Sequence, residues 1–300
     1  LQSPKILLTG ASGNYGGKVL QFLLKKTKAC EIAALARNPK SLAAQAEQGV
    51  VIRHGDYHDY DSLVSAFTGI ETLLLVSAEA FTERQAQEAN AISAAKAAGV
   101  KHILYTSIQK KPGTTEKIPM VTETNDNSEA AILKSGMQHT ILRNSLYAEA
   151  ILGFIGDTYL NTGIVAMPGG TGRAALASSS DMAEGTANLL LRNQPHSTTY
   201  TIGGSEAFSM ADVASALSEI HGKKIEYVRI SPEEFIKTGS AKGSPIHILE
   251  FIAAWLMAIE RGEFSEVTKD LENNLGRKPD SIREVIASSF PDHPVRATDP

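Results

Sequence analysis

Lys5-Ile6-Leu7-Leu8-Thr9-Gly10-Ala11-Ser12-Gly13-Asn14-Tyr15-Gly16 joins a short apolar strand to a helix that carries Val19, Leu20, Leu23 and Leu24. Glycine recurs at every third position, and in a strand–loop–helix setting each glycine has its own task. Gly10 permits a tight turn, Gly13 leaves room for phosphate against backbone, and Gly16 lets helix and strand pack closely. The helix N-terminus then aims its free N–H groups at an anion. The stretch predicts a βα unit that holds the pyrophosphate of a dinucleotide, with Gly10, Ser12, Gly13, Asn14, Tyr15 and Gly16 around it. A tight βα turn without a ligand is the alternative that glycine spacing alone leaves open.

Outward from this stretch, strand-like and helix-like segments alternate. Apolar runs at Ile6–Thr9, Ile32–Ala36, Val50–Arg53, Thr72–Val76, His102–Thr106 and His139–Arg143 mostly lack in-and-out alternation. That is the pattern of parallel strands covered on both faces. Thr82-Glu83-Arg84-Gln85 reads as a capping box that starts a helix ending at Gly99, and a second helix runs from about Asn127 to Lys134. The alternation predicts right-handed βαβ crossovers and an α/β fold with a doubly wound parallel sheet. After Arg143 the rhythm changes. Gly163 to Gly172 reads as loop, and Thr198–Ile202 and Lys224–Ile230 read as strands. Tyr147–Ile155, Asp181–Arg192, Ala211–His221, Ile246–Arg261, Val267–Asn274 and Ser281–Ser288 read as helices, and Ser231-Pro232-Glu233-Glu234 as a further helix start.

The strand ends suggest which nucleotide. A site for NAD usually closes its second strand with an acid that bonds the ribose hydroxyls. Here Arg37 stands at that tip, in Ala36-Arg37-Asn38-Pro39-Lys40. A guanidinium there pairs with a 2′-phosphate through two parallel hydrogen bonds, so NADPH is the expected cofactor. Asp56, after the third strand, can accept from an adenine amino group. Ser77, after the fourth, falls on the nicotinamide side, since ligands of open parallel sheets sit beyond the carboxyl ends of the strands. His54 and His58 flank Asp56, but an H-x-x-x-H pair binds metal only on a helix, and no metal is expected here.

Composition narrows the class. With 42% hydrophobic and 21% charged residues a packed core is expected, and 300 residues hold one large α/β domain with an appendage or two ordinary domains. Net charge is −4 with no basic stripe, so nucleic acid is not an expected direct partner. The lone Cys30 cannot form an internal disulfide, which fits a reducing, cytoplasmic setting. No signal peptide is read before the first strand. The most apolar stretch, Phe251 to Ile259, is too short for a bilayer, which takes about 20 residues. The polar tail from Asp292 to Pro300 is expected to be loosely held.

Thr9–Gly16, Arg37-Asn38-Pro39, His54-Gly55-Asp56-Tyr57, Ala98-Gly99-Val100-Lys101-His102-Ile103 and Leu142-Arg143-Asn144 together resemble the NmrA-like branch of atypical short-chain dehydrogenases. The resemblance continues through Asp181-Met182-Ala183, Thr199-Tyr200-Thr201-Ile202 and Gly222-Lys223-Lys224. It implies an N-terminal Rossmann domain that binds NADPH, residues 1–150, and a smaller α/β substrate domain, residues 151–300, with strands free to cross that boundary. The helix around Phe251 to Ile259 would then wall a flat apolar acceptor, although an ordinary buried helix has the same composition.

The wider superfamily reduces carbonyls with a Ser–Tyr–Lys set, in which a lysine lowers the pKa of a phenol four residues before it. None of the eight tyrosines here has lysine four residues later. The tyrosine position falls at Asn125, the lysine position at Glu129 and the serine position at Ser107. Acceptors that take hydride without a proton from the enzyme remain open: a cationic triphenylmethane dye, a quinone or a similar conjugated electrophile. Ser107, Asn144 and Tyr147 are the candidates for contacts near nicotinamide and acceptor. The alternative is an NADP(H)-binding redox sensor with little or no turnover, as the same branch includes. An epimerase ranks last, because it needs the tyrosine relay. Monomer and homodimer are both compatible with the sequence.

Overall fold

The computed structural model describes residues 3–79, 81–192 and 196–290. In chain order the first elements are β1 (Ile6–Leu8), α1 (Asn14–Leu24), β2 (Ile32–Ala36), α2 (Ala43–Glu47), β3 (Val51–His54), α3 (Tyr60–Phe67), β4 (Thr72–Leu75), α4 (Arg84–Ala97), β5 (His102–Ile108), α5 (Thr122–Ser135) and β6 (Gln138–Asn144). There follow α6 (Ala148–Ile155), α7 (Tyr159–Thr162), β7 (Ile164–Met167), β8 (Arg173–Ala174), α8 (Ser179–Leu190), β9 (Thr198–Ile202) and β10 (Phe208–Ser209). The last are α9 (Met210–His221), β11 (Glu226–Arg229), α10 (Pro232–Ala241), α11 (Ile246–Glu260), α12 (Asp270–Leu275) and α13 (Ile282–Ser289).

The large sheet has the order β3-β2-β1-β4-β5-β6-β9. From β3 to β6 every neighbouring pair is parallel. β2 and β5 are buried along their whole length; β2 is unbroken apolar for that reason, whereas β5 carries the buried polar residues His102, Thr106 and Ser107. Leu7, Leu73, Ile103 and Ile141 of the sheet share one core with Phe67, Ala91, Ala95 and Ile132 of the covering helices. Each large side chain fully buried there contributes about 1.5–3 kcal/mol. The strand order reverses between β1 and β4, the switch point at which an open α/β sheet leaves a crevice at its carboxyl edge.

The chain forms two units that interleave in sequence: 1–108, 120–144 and 182–201 in the first, 109–119, 145–181 and 202–300 in the second. The crossing nearest residue 150 lies between Asn144 and Ser145, just ahead of α6. In the second unit β7 pairs in parallel with β11, and β8 pairs antiparallel with β10. α13 packs on α6 and α9, and α10 packs on α11. Trp255 of α11 stacks on Phe264 at 5.7 Å and meets the edge of Phe251.

Three local readings change. β7 lies inside the stretch read as loop; its four apolar residues sit among glycines, and the strand they pair with is the distant β11. α5 begins at Thr122 rather than near Asn127. The box at Thr82 does not cap α4, because the Thr82 hydroxyl donates back to Glu79 O at 2.9 Å. The Ser231 cap does form, accepting from Glu234 N at 3.1 Å behind Pro232. The tail from Asp292 lies outside the described residues. Among the described residues no helix is long and apolar enough to cross a membrane.

Candidate functional site

The glycine loop sits at the switch point. Gly10 has φ +63°, a left-handed conformation that glycine adopts without strain, and its carbonyl accepts from Gly13 N at 2.9 Å. A Cβ at Gly16 would lie 2.4 Å from Gly10 O, so any side chain there would force the loop off the helix. Gly13 is the N-cap of α1; no side chain caps the helix and no acid stands in its first turn. The N-terminal N–H groups and the positive end of the helix dipole are thus left for an external anion. Ser12 and Asn14 are exposed at this end. Tyr15 turns inward instead, its phenol against Thr186 Oγ1 at 2.7 Å and Met182 O at 3.2 Å. Burial pushes that phenol up to about 12.

At the end of β2, Arg37 and Lys40 are exposed, and neither side-chain charge has a partner among the described residues. Asp56 is oriented by its own turn: Oδ1 accepts from His58 N at 3.0 Å, and the Asp56 N–H donates to Ser62 Oγ at 3.1 Å. His58 Nε2 lies 2.8 Å from Gln87 Nε2. Among the described residues no group of three His, Cys, Asp or Glu is placed to hold a metal.

The segment after β4 is anchored by residues that the sequence reading did not single out. Thr9 Oγ1 accepts from Val76 N at 2.9 Å, and the Tyr57 hydroxyl donates to Val76 O at 3.1 Å. Thr106 Oγ1 accepts from Ser77 N at 2.8 Å, and Glu88 Oε1 accepts from Ala78 N at 3.1 Å. A Cβ at Gly10 would press on Val76 at 3.1 Å, so the glycine loop and the β4 end meet. These partners lie 10 to 67 residues away along the chain, so no local motif announces them. Alternating polar residues inside an apolar strand, as in Tyr105-Thr106-Ser107, are the nearest signal.

Asn125 and Glu129, the positions expected to correspond to the relay, sit in two buried polar networks. Glu88 is fully buried and also accepts from Arg84 Nε, Tyr105 Oη and Ser128 Oγ at 2.6–2.7 Å. Asn125 joins it by donating Nδ2 to Tyr105 Oη and accepting from Arg84 Nη2, both at 3.0 Å. Burial, with the Glu88 charge beside it, holds the Tyr105 phenol well above its ordinary range. One turn on, Glu129 accepts from Ser107 Oγ at 2.5 Å and from Arg143 at 2.6 and 3.1 Å. The ion pair is bidentate and its carboxylate is buried, the strong form of such a contact. Ser107 is thereby committed as a donor.

Asn144 closes β6 opposite Ile108. It is buried, and its Oδ1 has no hydrogen-bond partner among the described residues. An orphaned buried oxygen is uncommon and marks a place where a ligand donor fits. Tyr147 belongs to the second unit, where it precedes α6 and bridges Ala177. The first unit therefore brings together the glycine loop, Ser77, Ser107 and Asn144 along the carboxyl edge of one sheet. An open helix N-terminus, and, among the described residues, an unpaired guanidinium at the β2 tip and an orphaned acceptor on β6, fit a phosphorylated dinucleotide.

Residues 2–286 match the NmrA-like family. Quinone oxidoreductase 2 of Escherichia coli (strain K12) is 31% identical over 285 residues, 95% of this chain and 98% of that protein. The crystal structure of an NADPH-dependent quinone oxidoreductase of E. coli with NADPH has TM-score 0.89 at 30% identity, covering 95% of this chain and 99% of that one. Triphenylmethane reductase of Citrobacter sp., solved with NADP(H), has TM-score 0.88 at 32% identity, covering 95% of this chain and all of that one.

Proposed function

This chain belongs to the NmrA-like family, and from that premise we propose that it is an oxidoreductase that uses NADPH to reduce a quinone or a similar conjugated electrophile without a Tyr–Lys proton relay. When bound, the nicotinamide supplies the hydride. The chain's own part is holding and orienting. Gly10, Gly13 and Gly16 bring backbone N–H groups to the pyrophosphate, with Ser12 and Asn14 beside them. Arg37 and Lys40 meet the 2′-phosphate, Asp56 the adenine end, and Ser77 the nicotinamide side. Ser107, Asn144 and Tyr147 are the contacts assigned to the reacting end.

The observation that carries this reading is the closure of both relay positions. Asn125 has no acidic proton, and Glu129 is clamped by Arg143 and Ser107. A carbonyl that becomes an alkoxide needs a proton from the enzyme as hydride arrives. A quinone leaves as a hydroquinone anion that water protonates, and a cationic dye is neutralised by hydride alone, so positioning supplies most of the rate. A reducing compartment, the cytoplasm, goes with this assignment.

The test is loss of reduced-nicotinamide absorbance with purified protein and a panel of quinones, a triphenylmethane dye and simple ketones. Turnover with the first two and none with ketones is the expected result. Tight NADPH binding with no turnover on any acceptor would replace the enzyme by a redox sensor.

A further inference from the structure

Phe81, Glu83 and Arg84, at the start of α4, and Met120 and Thr124, at the start of α5, line an open hollow of about 520 Å³. That falls within the roughly 300–1,000 Å³ of small-molecule sites. Its lining lies entirely within the first unit. Both helices begin at the carboxyl edge of the sheet, after β4 and β5, where a ligand of such a sheet sits. The hollow is tied to that edge. Arg84 Nε donates to Glu88 Oε1 at 2.7 Å, and the same oxygen accepts from Ala78 N at 3.1 Å, next to Ser77.

Phe81 and Met120 are 48% and 45% exposed, although both are large and apolar. Met120 also has φ +62°, the only positive φ at a non-glycine among the described residues. Backbone strain of that kind persists where the surroundings impose it, and it gathers at ligand sites. A ring and a polarisable thioether left in water suit a flat conjugated molecule. Its charge is set by the acid on the lining. Among the lining residues Arg84 is the only cation, and it is buried against Glu88. The Glu83 side chain is 82% exposed and makes no cap bond to α4. His58 Nδ1, at 3.8 Å, offsets that carboxylate only when protonated. An aromatic face and an uncompensated acid together attract positive charge.

We propose that this hollow is the acceptor subsite and that Glu83, with Phe81 and Met120, selects conjugated acceptors that carry positive charge over neutral or anionic ones of the same ring system. The proposal rests on the reading that the chain reduces such acceptors with NADPH. It explains why a strained methionine and a phenylalanine stand in water on either side of one hollow. It also suits a site without a Tyr–Lys pair. A cationic carbon that accepts hydride takes both electrons from NADPH and ends neutral, NADP⁺ is left, and no proton enters the step.

A matched set of 1,4-naphthoquinones tests it, bearing a trimethylammonium group, no charge or a sulfonate. In wild type kcat/KM should be about tenfold higher for the cation than for the sulfonate, and the ratio should shrink toward one in about 0.5 M salt. In Glu83→Gln the ratio should fall to about two or less. Met120→Gly removes the thioether and the strain together. It should raise the acceptor KM about fivefold, leave that for NADPH as in wild type and lower the unfolding midpoint not at all. Equal kcat/KM across the set in wild type overturns the proposal, and so does a ratio that Glu83→Gln does not change. An unchanged acceptor KM in Met120→Gly removes Met120 from the site. If no acceptor oxidises NADPH, the reductase reading has failed, and crystal violet then tests the hollow without turnover, through its absorbance shift on binding to the cofactor-free protein. Binding about threefold weaker in Glu83→Gln keeps the hollow as a site for organic cations, and binding as in wild type rules it out.

Discussion

Arg37 shows how far a single residue can be read. Its position follows from the end of an apolar run and its chemistry from the lack of an acid there, and both are visible in the chain. The structure adds that the guanidinium is exposed with no partner among the described residues. Losing a charge-assisted pair to phosphate should raise the KM for NADPH about ten- to hundredfold in Arg37→Ala and leave that for NADH nearly unchanged. Steady-state kinetics with both cofactors decide it; equal loss for both would mean that Arg37 merely supports the strand end. Gly10 and Gly16 were equally legible, because glycine at a fixed spacing reports a backbone need. The direction of the Tyr15 side chain is not legible: its phenol turns inward to Thr186 and Met182, which lie far along the chain.

At the scale of elements, apolar runs located strands well and helix starts poorly. β2 and β9 match the reading residue for residue: β2 is continuously buried and continuously apolar, while β9, only partly buried, shows itself by its β-branched and aromatic residues. A cap depends on the direction from which the chain enters the helix. Thr82 has the right neighbours, but its hydroxyl turns to the preceding loop. Ser209 forms a full capping box on α9, exchanging bonds with Asp212 in both directions. Ser209→Ala should therefore cost about 1 kcal/mol, seen as a lower urea midpoint at unchanged slope. Thr82→Ala should cost clearly less; equal losses would show that Thr82 caps α4 in solution. β7 escaped notice because four residues between glycines look like loop until β11 is beside them.

Stability of the whole molecule has an acid-sensitive component at His102. The ring is buried at the start of β5, with Nε2 at 2.9 Å from Thr140 Oγ1. Burial, reinforced by His139 and His196 nearby, pushes it down to about 4. In the unfolded chain it titrates near about 6.5. Folding thus favours the neutral ring. The stability this contributes is fully present above the unfolded value and is lost as pH falls from there through the folded value. Thermal unfolding of His102→Gln, which keeps a hydrogen-bonding group and cannot charge, should fall less than wild type between about pH 7 and about pH 4.5. Parallel curves would place the acid sensitivity elsewhere.

The sequence by itself determined the parallel sheet, the glycine loop at its switch point, the basic tip of β2 and the absence of a Tyr–Lys pair at four-residue spacing. Each is a matter of local spacing or of which residue types are present, and both are properties of the chain. Tertiary structure alone decided which partners Asn125 and Glu129 find. Arg84, Glu88, Tyr105, Asn125 and Ser128 come from three elements into one buried network, and Ser107, Glu129 and Arg143 from three into another. It alone left Asn144 Oδ1 without a partner among the described residues. Buried polar groups must find donors or acceptors somewhere, but which ones they find is set by the contact of distant segments, and spacing along the chain carries no record of it.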